Sequence, residues 1–409
     1  IPLSKYNLEI SILTALLPDG ILLPHALKTI TDNQAYLRSV LTRLKHAGLV
    51  SDRHRTLKAP KATYTIRYLE IQSAALSWLK EHSDIDWLSY LPDPLPSYTV
   101  SSDYSNSKLI RLLNSRTAEI VFSQLNIPTY RDETCHVGEQ KWKLKDLIQD
   151  CKSQCKNVNE PVADTSITEN KGTNMYFHSY SINENFKLSP TEIRQYQFST
   201  HVGLLVRRSK SYLVYAATPT GLVIQPRAAL RTRTFAGMFL SRNRLTSETS
   251  VDAVQDSLIF CRNEKEFKKM FDKSYDAMNK NSTYTLSHLF HSVYAIPVTR
   301  DGVYMLDTIF YYQDNAIDLI EAASRAIADK YPCYTLTSVP LFPLKCGSDE
   351  VYVGIDMNLT SLQRLISNVM SEYNRSMSYV LICYEWQRRY YERILPDNVH
   401  IQTVPDDII

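Results

Sequence analysis

The chain has 409 residues, of which 44% are hydrophobic and 22% charged, so it has the composition of a globular protein and the length of two or three domains. It contains no run of about 18 apolar residues and therefore predicts no membrane-spanning helix. A formal net charge of +3 identifies no partner by itself, because a local basic surface attracts phosphate more than the total charge does. The low glycine count, 10 residues, argues against a Gly-rich phosphate loop.

Seven cysteines are present, an odd number spread thinly through a long chain, which fits reduced thiols better than a disulfide framework. The opening residues Ile1 to Lys5 show neither the basic nor the apolar segment of a signal peptide. We therefore expect a cytoplasmic protein that has no contact with a membrane.

The first 82 residues predict four helices and a β-hairpin. The central helix carries Leu37, Val40, Leu41 and Leu44 at helical spacing and ends at Gly48. The expected bounds are Tyr6 to Leu17, Pro24 to Ile30 and Gln34 to Ala47 for the first three helices, Leu49 to Val50 and Tyr64 to Tyr68 for the hairpin strands, and Glu70 to Lys80 for the last helix.

Polar and basic side chains fill the positions of the central helix that its leucines leave open to solvent, and such a helix can read base edges in the major groove. The candidate DNA contacts of this helix are Gln34, Tyr36, Arg38, Ser39, Thr42, Arg43 and Lys45. The hairpin is also basic, because it has one acid, Asp52, against Arg53, Arg55, Lys58 and Lys61, and we expect those four cations to contact phosphates or the minor groove.

The segment from Val40 to Val50, VLTRLKHAGLV, resembles the junction between recognition helix and wing in bacterial winged-helix proteins. This resemblance implies that residues 1–82 are a winged helix-turn-helix domain that binds double-stranded DNA, and many such regulators act as homodimers. An alternative is that the winged helix serves protein contacts or dimerisation.

A linker is predicted over residues 83–100, where Pro92, Pro94 and Pro96 forbid a continuous helix. Residues 101–409 are expected to form a large mixed αβ domain, with helices at Ser107 to Leu125 and Trp142 to Cys151 and an exposed loop over 152–174.

Two strand pairs are predicted within that domain. They are Val202 to Val206 with Ser211 to Ala216, and Ser292 to Val298 with Val303 to Tyr311. The two hairpins are either unrelated or mark two related halves, at about 101–290 and 291–409.

The C-terminal stretch alternates strands and helices, which indicates a parallel or mixed sheet flanked by helices. The expected elements are strand Val351 to Ile355, helix Leu359 to Tyr373, strand Tyr379 to Cys383, helix Glu385 to Ile394 and strand His400 to Val404. The fold class is therefore α/β, or α+β overall.

A second basic patch is predicted in residues 193–247, which contain nine Lys or Arg and no Asp or Glu. The alternative is a set of solvated arginines on a strand-rich surface. Nearby tyrosines could stack on single-stranded DNA, although strand propensity also explains them. The residues assigned to the patch are Arg207, Arg208, Lys210, Arg231, Arg233, Arg242 and Arg244.

Catalytic and metal motifs are weak, and the sequence predicts no catalytic residue, metal site or cofactor. His288 and His291 have two residues between them, which would place them on opposite faces of a strand. Cys151 and Cys155 have no second cysteine pair with which to complete a zinc site.

The C-terminal alternation and the helical segment Ser115 to Glu119 resemble a restriction-endonuclease-like core. Asp356 follows a strand, but no acid-x-Lys stands at the strand from Tyr379, so the resemblance implies a degenerate core. For an enzyme, either a metal-dependent nuclease or a tyrosine nicking enzyme, the candidate residues are Glu119, Asp307 and Asp356, or a tyrosine.

The whole layout is similar to the plasmid replication-relaxation proteins of Gram-positive mobile elements. This similarity implies a DNA-binding protein of a plasmid, phage or conjugative element that acts in replication, transfer or transcriptional control. The alternatives are a nuclease or nicking enzyme and a protein-assembly module that dimerises through its winged helix.

Overall fold

A computed structural model shows a mixed α/β protein with helices and several sheets, as predicted. It describes residues 7–17, 19–59, 62–82, 104–131, 134–137, 140–143, 174–179, 182, 201–207, 210–217, 226–242, 253–280, 289–371 and 377–409. The chain forms two compact units: residues 1–216, 230–254 and 298–300 in the first, and residues 217–229, 255–297 and 301–409 in the second. Within the described residues, no helix is both long and apolar enough to cross a membrane.

The first unit begins with three α-helices, a 3-10 helix and a three-stranded antiparallel sheet of strand order β1-β3-β2. In chain order the elements are α1 (Asn7–Leu16), β1 (Ile21–Leu22), the 3-10 helix (Pro24–Thr29), α2 (Gln34–His46), β2 (Val50–Ala59), β3 (Ala62–Ile71) and α3 (Ala74–His82).

Helix α2 lies within the bounds that its sequence predicts. The side chain of Asn33 caps it by accepting a hydrogen bond from the backbone N–H of Tyr36 at 2.9 Å, and Gly48 follows its end with a φ of 69°. Leu37, Val40 and Leu44 are buried, as their spacing requires. The expected helix from Glu70 is wrong at its start, because Glu70 and Ile71 pair with β2 and α3 begins at Ala74.

A long helix, α4 (Asn106–Gln124), packs on these elements and continues their hydrophobic core. Its Leu109 and Leu113 cluster with Leu57, Ile66 and Tyr68 of the hairpin. Ile120 joins the separate cluster formed by α1, α2 and α3. The predicted linker, residues 83–100, lies outside the described residues, whereas α4 beyond it shares hydrophobic clusters with the elements before it.

The first unit also contains six strands of a second sheet, in the order β9-β8-β7-β4-β5-β6. Its strands are β4 (Thr129–Arg131), β5 (Thr134–Val137), β6 (Gln140–Lys143), β7 (Met175–His178), β8 (His201–Arg207) and β9 (Lys210–Ala216). The predicted hairpin of β8 and β9 is confirmed. The helix expected from Trp142 is wrong at its start, because Trp142 pairs with Cys135 in the sheet; the rest of that helix and nearly all of the 152–174 loop lie outside the described residues. Helix α5 (Pro226–Arg242) follows in the chain.

The second unit opens with two parallel strands, β10 (Asp256–Cys261) and β11 (Ser292–Pro297), joined through helix α6 (Glu264–Lys280). The strand expected at Val303 to Tyr311 is wrong, because these residues belong to helix α7 (Arg300–Asp314). Val303, Leu306 and Phe310 are buried at helical spacing, so their period is that of a helix and not the two-residue period of a strand. The proposed second half therefore loses the hairpin on which it rested.

A five-stranded sheet completes the second unit in the order β12-β13-β14-β15-β16. The elements are α8 (Leu319–Lys330), β12 (Tyr334–Val339), β13 (Phe342–Cys346), β14 (Asp349–Val353), α9 (Leu359–Val369), β15 (Tyr379–Tyr384), α10 (Glu385–Tyr391) and β16 (Val399–Val404). Strands β14, β15 and β16 are parallel, which confirms the predicted alternation of strands and helices.

Candidate nucleic-acid interface

The solvent-facing side of α2 carries polar side chains and no carboxylate. Arg38, Thr42 and His46 follow one another at intervals of four residues and are exposed, and Ser39 is exposed beside them. Within the part of the chain that the structure describes, the side chain of Arg38 has no ion-pair or hydrogen-bond partner. The middle of this face therefore presents a cation and hydroxyl groups directly to solvent.

Two further cations flank this face, and each pairs with an acid from another element. The guanidinium of Arg43 pairs with Glu9 of α1, whose side chain is almost fully buried, and also lies 5.9 Å from the ring centre of Tyr36. More than half of the Arg43 side chain, 55%, remains exposed. The ion pair therefore orients Arg43 without hiding it.

On the other flank, Asp52 of β2 bridges α2 and the hairpin. Its carboxylate lies 2.6 Å from the ammonium of Lys45 and accepts two hydrogen bonds from Arg67 of β3, at 2.9 and 3.1 Å. Partial burial raises the pKa of Asp52, but the hydrogen bonds from Arg67 and Lys45 outweigh this effect and hold the pKa below its ordinary value. The carboxylate thus stays charged and ties the helix to the hairpin.

The hairpin has two faces, because successive side chains of a strand point to opposite sides. Asp52, Thr56, Thr65 and Arg67 are on the face that bears the link to α2, and His54 shares that face by its register opposite Arg67. We call this the α2-side face. His54, Thr56, Thr65 and Arg67 are exposed there.

The opposite face, which we call the α4-side face, packs on α4 through Leu57, Ile66 and Tyr68. Arg53 and Arg55 lie on it. Arg53 pairs with buried Glu70 at 2.5 Å, and Arg55 donates a hydrogen bond to the carbonyl oxygen of Tyr104, just before α4. These two predicted phosphate contacts therefore stand apart from the α2 residues with which the sequence grouped them.

The structure brings the predicted α2 residues together on one surface, with one member turned inward. Gln34 is half-buried and its amide donates to the carbonyl oxygen of Thr31 at 2.7 Å. The side chains of Lys58 and Lys61 lie outside the described residues. Sequence reasoning missed His46, His54 and Arg67; the four-residue spacing from Arg38 to His46 and the alternation along β2 and β3 are the signals that could have found them.

The predicted second basic patch is divided by burial. Arg207 is buried, with 8% of its surface exposed, and it has partners within the protein. It is therefore not accessible to a polyanion. Lys210 and Arg231 are exposed and Arg233 is half-buried. The side chains of Arg208, Arg242 and Arg244 lie outside the described residues.

The three acids considered for catalysis occupy different environments. Glu119 is buried and pairs with Arg116, and Asp307 is exposed on α7. Burial raises the pKa of Asp356 to about 7, and hydrogen bonds from the backbone of Asn358 and of Asp356 itself only partly oppose this.

In the described part of the chain, no three His, Cys, Asp or Glu side chains are grouped as metal ligands would be. Cys151, Cys155 and His288 lie outside the described residues, and His291 is exposed.

Charge is unevenly divided along the chain. Residues 1–82 contain eleven Lys or Arg against six Asp or Glu, whereas residues 83–409 contain thirty-five against thirty-seven. The net positive charge of the protein therefore resides in the region that carries α2 and the hairpin.

Comparison of the chain with protein-family models, curated proteins and solved structures gives no match.

Proposed function

We propose that residues 1–82 form a winged helix-turn-helix domain that binds double-stranded DNA, with α2 as the recognition helix and the β2–β3 hairpin as the wing. One observation carries the proposal: the exposed face of α2 presents Arg38, Ser39, Thr42 and His46 in the absence of any acid on that helix. The order of helices and strands, and the antiparallel sheet with the hairpin at its edge, support the winged-helix assignment.

The dimensions of α2 suit the major groove. Thirteen residues at about 1.5 Å each give a helix of about 20 Å, and the groove of B-form DNA is about 12 Å wide. Arg38 offers a guanidinium that can donate two hydrogen bonds to a guanine, and the hydroxyl groups of Ser39 and Thr42 suit several bases. Arg43, held beside Tyr36 by Glu9, is a second candidate for base contact because its orientation is fixed before DNA arrives.

Phosphate contact is assigned to the α2-side face of the wing. His54, Thr56, Thr65 and Arg67 are exposed on the side that is linked to α2, so a duplex on α2 would meet them. Arg53 and Arg55 are assigned a structural role instead, because they bind Glu70 and the Tyr104 carbonyl on the other face. We further propose that the protein acts in replication, transfer or transcriptional control of a mobile DNA element, most simply as a homodimer on two half-sites.

The proposal is tested by fluorescence anisotropy of the full-length protein, with random duplexes and with duplexes enriched from a random pool, over a salt series. We expect steep salt dependence on both and tighter binding of the enriched duplex. Arg38→Ala should weaken binding of the enriched duplex about 5- to 150-fold, which corresponds to about 1 to 3 kcal/mol for a base contact.

Arg364→Ala is the matched control, because Arg364 is an exposed arginine on helix α9, outside residues 1–82, and likewise lacks an ion-pair partner among the described residues. It should leave DNA binding unchanged. Absence of duplex binding at low salt contradicts the proposal, and so does an equal effect of the Arg38 and Arg364 substitutions. In that case dimerisation, measured by sedimentation, becomes the leading role of the domain.

For the C-terminal region we propose a degenerate restriction-endonuclease-like core without catalysis. A helix, a mixed sheet and flanking helices support it. The helix that leads into this sheet is α8, whereas the segment Ser115 to Glu119 belongs to α4 in the first unit. Within the described residues, Asp356 does not belong to any group of three His, Cys, Asp or Glu side chains that could hold a metal ion, so it does not favour the nuclease alternative. Incubation of duplex and single-stranded DNA with the protein and Mg²⁺ should give no cleavage products.

A further inference from the structure

Two cysteines lie near each other at the β12 end of the five-stranded C-terminal sheet. Cys333 immediately precedes β12, and Cys346 is the last residue of β13, directly opposite Tyr334 in the antiparallel register. Cys333 lies close enough to Cys346 to raise the pKa of the Cys346 thiol. Cys333 is exposed and Cys346 is partly exposed, and both are free thiols.

Their surroundings differ from those of Cys261 and Cys383. Cys261 and Cys383 are fully buried, so an oxidant in solution does not reach them. Opposed Cα atoms of neighbouring strands lie about 4.5 to 5.5 Å apart, and Cys333 is one residue from Tyr334, the residue opposed to Cys346. The two cysteines are therefore close to the Cα separation of about 4.4 to 6.8 Å that a disulfide spans. The two thiols at this edge therefore combine access with the proximity that bond formation needs.

We propose that Cys333 and Cys346 are a redox-active pair that a hydroperoxide converts to a disulfide between β12 and β13. The exposed sulfur of Cys333 attacks one peroxide oxygen; the S–O bond forms, the O–O bond breaks, and the leaving oxygen departs as water or an alcohol after taking a proton. The sulfur of Cys346 then attacks the resulting sulfenic acid, so the S–S bond forms, the S–O bond breaks and water leaves. Two thiols lose two electrons and two protons, and the hydroperoxide is reduced.

The environments of the two cysteines determine which of them reacts first with the peroxide. Burial and the neighbouring Cys333 raise the pKa of Cys346, which disfavours its thiolate. Cys333 is the more exposed sulfur and therefore reacts first, while Cys346 closes the bond. The product fixes strand β12 to its neighbour β13, at the end of the hairpin remote from its turn.

The test uses the full-length protein treated with one equivalent of hydrogen peroxide, then alkylated, digested and analysed by mass spectrometry. The expected product is a cross-linked pair of peptides that contain Cys333 and Cys346, lighter by two hydrogen atoms and separated again by dithiothreitol. In Cys346→Ser the sulfenic acid of Cys333 should persist and be trapped by dimedone. In Cys333→Ser dimedone should not label Cys346.

Separate alkylation of both cysteines in the treated wild-type protein overturns the proposal, and so does a cross-link of either one to another cysteine or to a second chain. This outcome is read on the wild-type protein and does not depend on how the variants fold. As a second measurement, hydrogen exchange of the β12 amides should slow on oxidation of the wild-type protein and remain unchanged in Cys333→Ser.

Discussion

The N-terminal region and the C-terminal sheet differ in whether their charged groups are exposed to solvent or buried. In the N-terminal region, Arg43 and Arg67 each meet a carboxylate and still expose more than half of their side chains, so the positive charge stays available to solvent. In the C-terminal region, Asp356 is buried with no described cation beside it, and burial raises its pKa to about 7. The first region is built to keep charge at its surface, whereas the second favours a neutral interior. Electrostatic attraction of a polyanion is therefore expected from the first region.

The largest expected effect concerns Arg116 of α4, which is buried, pairs with Glu119 and donates to the carbonyl oxygen of Ala15 at 2.6 Å. Arg116→Ala removes the cation that pairs with the buried Glu119 carboxylate and should lower the free energy of unfolding by about 3 to 5 kcal/mol. Chemical denaturation measures the loss, and hydrogen exchange should assign it to α1 and α4. Arg325→Ala, which breaks an exposed Arg-Glu pair on α8, is the control and should cost under about 1 kcal/mol. Equal losses for the two variants would mean that Arg116 is not an anchor of the first unit.

The next effect is the pH dependence contributed by Asp356. Its folded pKa of about 7 lies above the ordinary value of 3.8, so the folded protein holds this proton more tightly than the unfolded chain does. The contribution to stability is complete below pH 3.8 and is lost as the pH rises through 7, with a total on the order of 4 kcal/mol. Asp356→Asn cannot titrate, so the difference between wild type and variant should change in this direction between pH 4 and 8 in urea unfolding. Parallel pH profiles of the two proteins would show that Asp356 titrates at its ordinary value.

A smaller pair of effects separates the two faces of the hairpin. Arg67→Ala should weaken binding to every duplex severalfold and reduce the salt slope by about one unit, as expected for one phosphate contact. Arg53→Ala should leave the salt slope unchanged and lower the free energy of unfolding by about 1 kcal/mol, a value reduced from that of a buried pair because Arg53 is 46% exposed. Anisotropy and denaturation of both variants check the contrast, and a reversed pattern would assign the DNA side to the α4-side face.

The smallest effect is a gain of binding. Asp52→Asn releases Lys45 and Arg67 and removes a negative charge from the interface, so affinity for random duplexes should rise about two- to fivefold at low salt. Asp329→Asn removes the same charge from an exposed position on α8 and should change nothing. A loss of binding in Asp52→Asn would mean that the link between helix and hairpin matters more than the released cations.

Local patterns were enough to predict much of the fold. The leucine spacing and the terminal Gly48 placed α2 to within one residue, and the alternation of apolar strands with helices placed β14 to β16. The same reasoning wrongly predicted a strand at Val303, because a short apolar run is compatible with both a buried strand and a buried helix. Whether the segment forms a strand or a helix depends on the elements that pack against it in the fold, and the periodicity of a single sequence carries no information about those elements.

The candidate interface was predictable as a set of residues and not as a surface. The alternation along β2 implies that Arg53 and Arg55 share a face, but which face remains open depends on α4, some fifty residues later in the chain. The pairing of Arg43 with Glu9 joins residues that are far apart in sequence for the same reason. Long-range packing therefore sorts the basic residues into those that solvent meets and those that the protein itself uses.

The alternation along the hairpin also bears on how this protein could change over time. Positions 54 and 56 on β2 and 65 and 67 on β3 face solvent, while their immediate neighbours hold the hairpin to α4. Replacements at these four sites can alter net charge and hydrogen-bonding groups without disturbing the apolar contacts that keep the strands in register. Along the hairpin, positions that can be substituted therefore alternate with positions that the fold requires. A library of variants confined to these four positions would sample new DNA specificities on an unchanged fold.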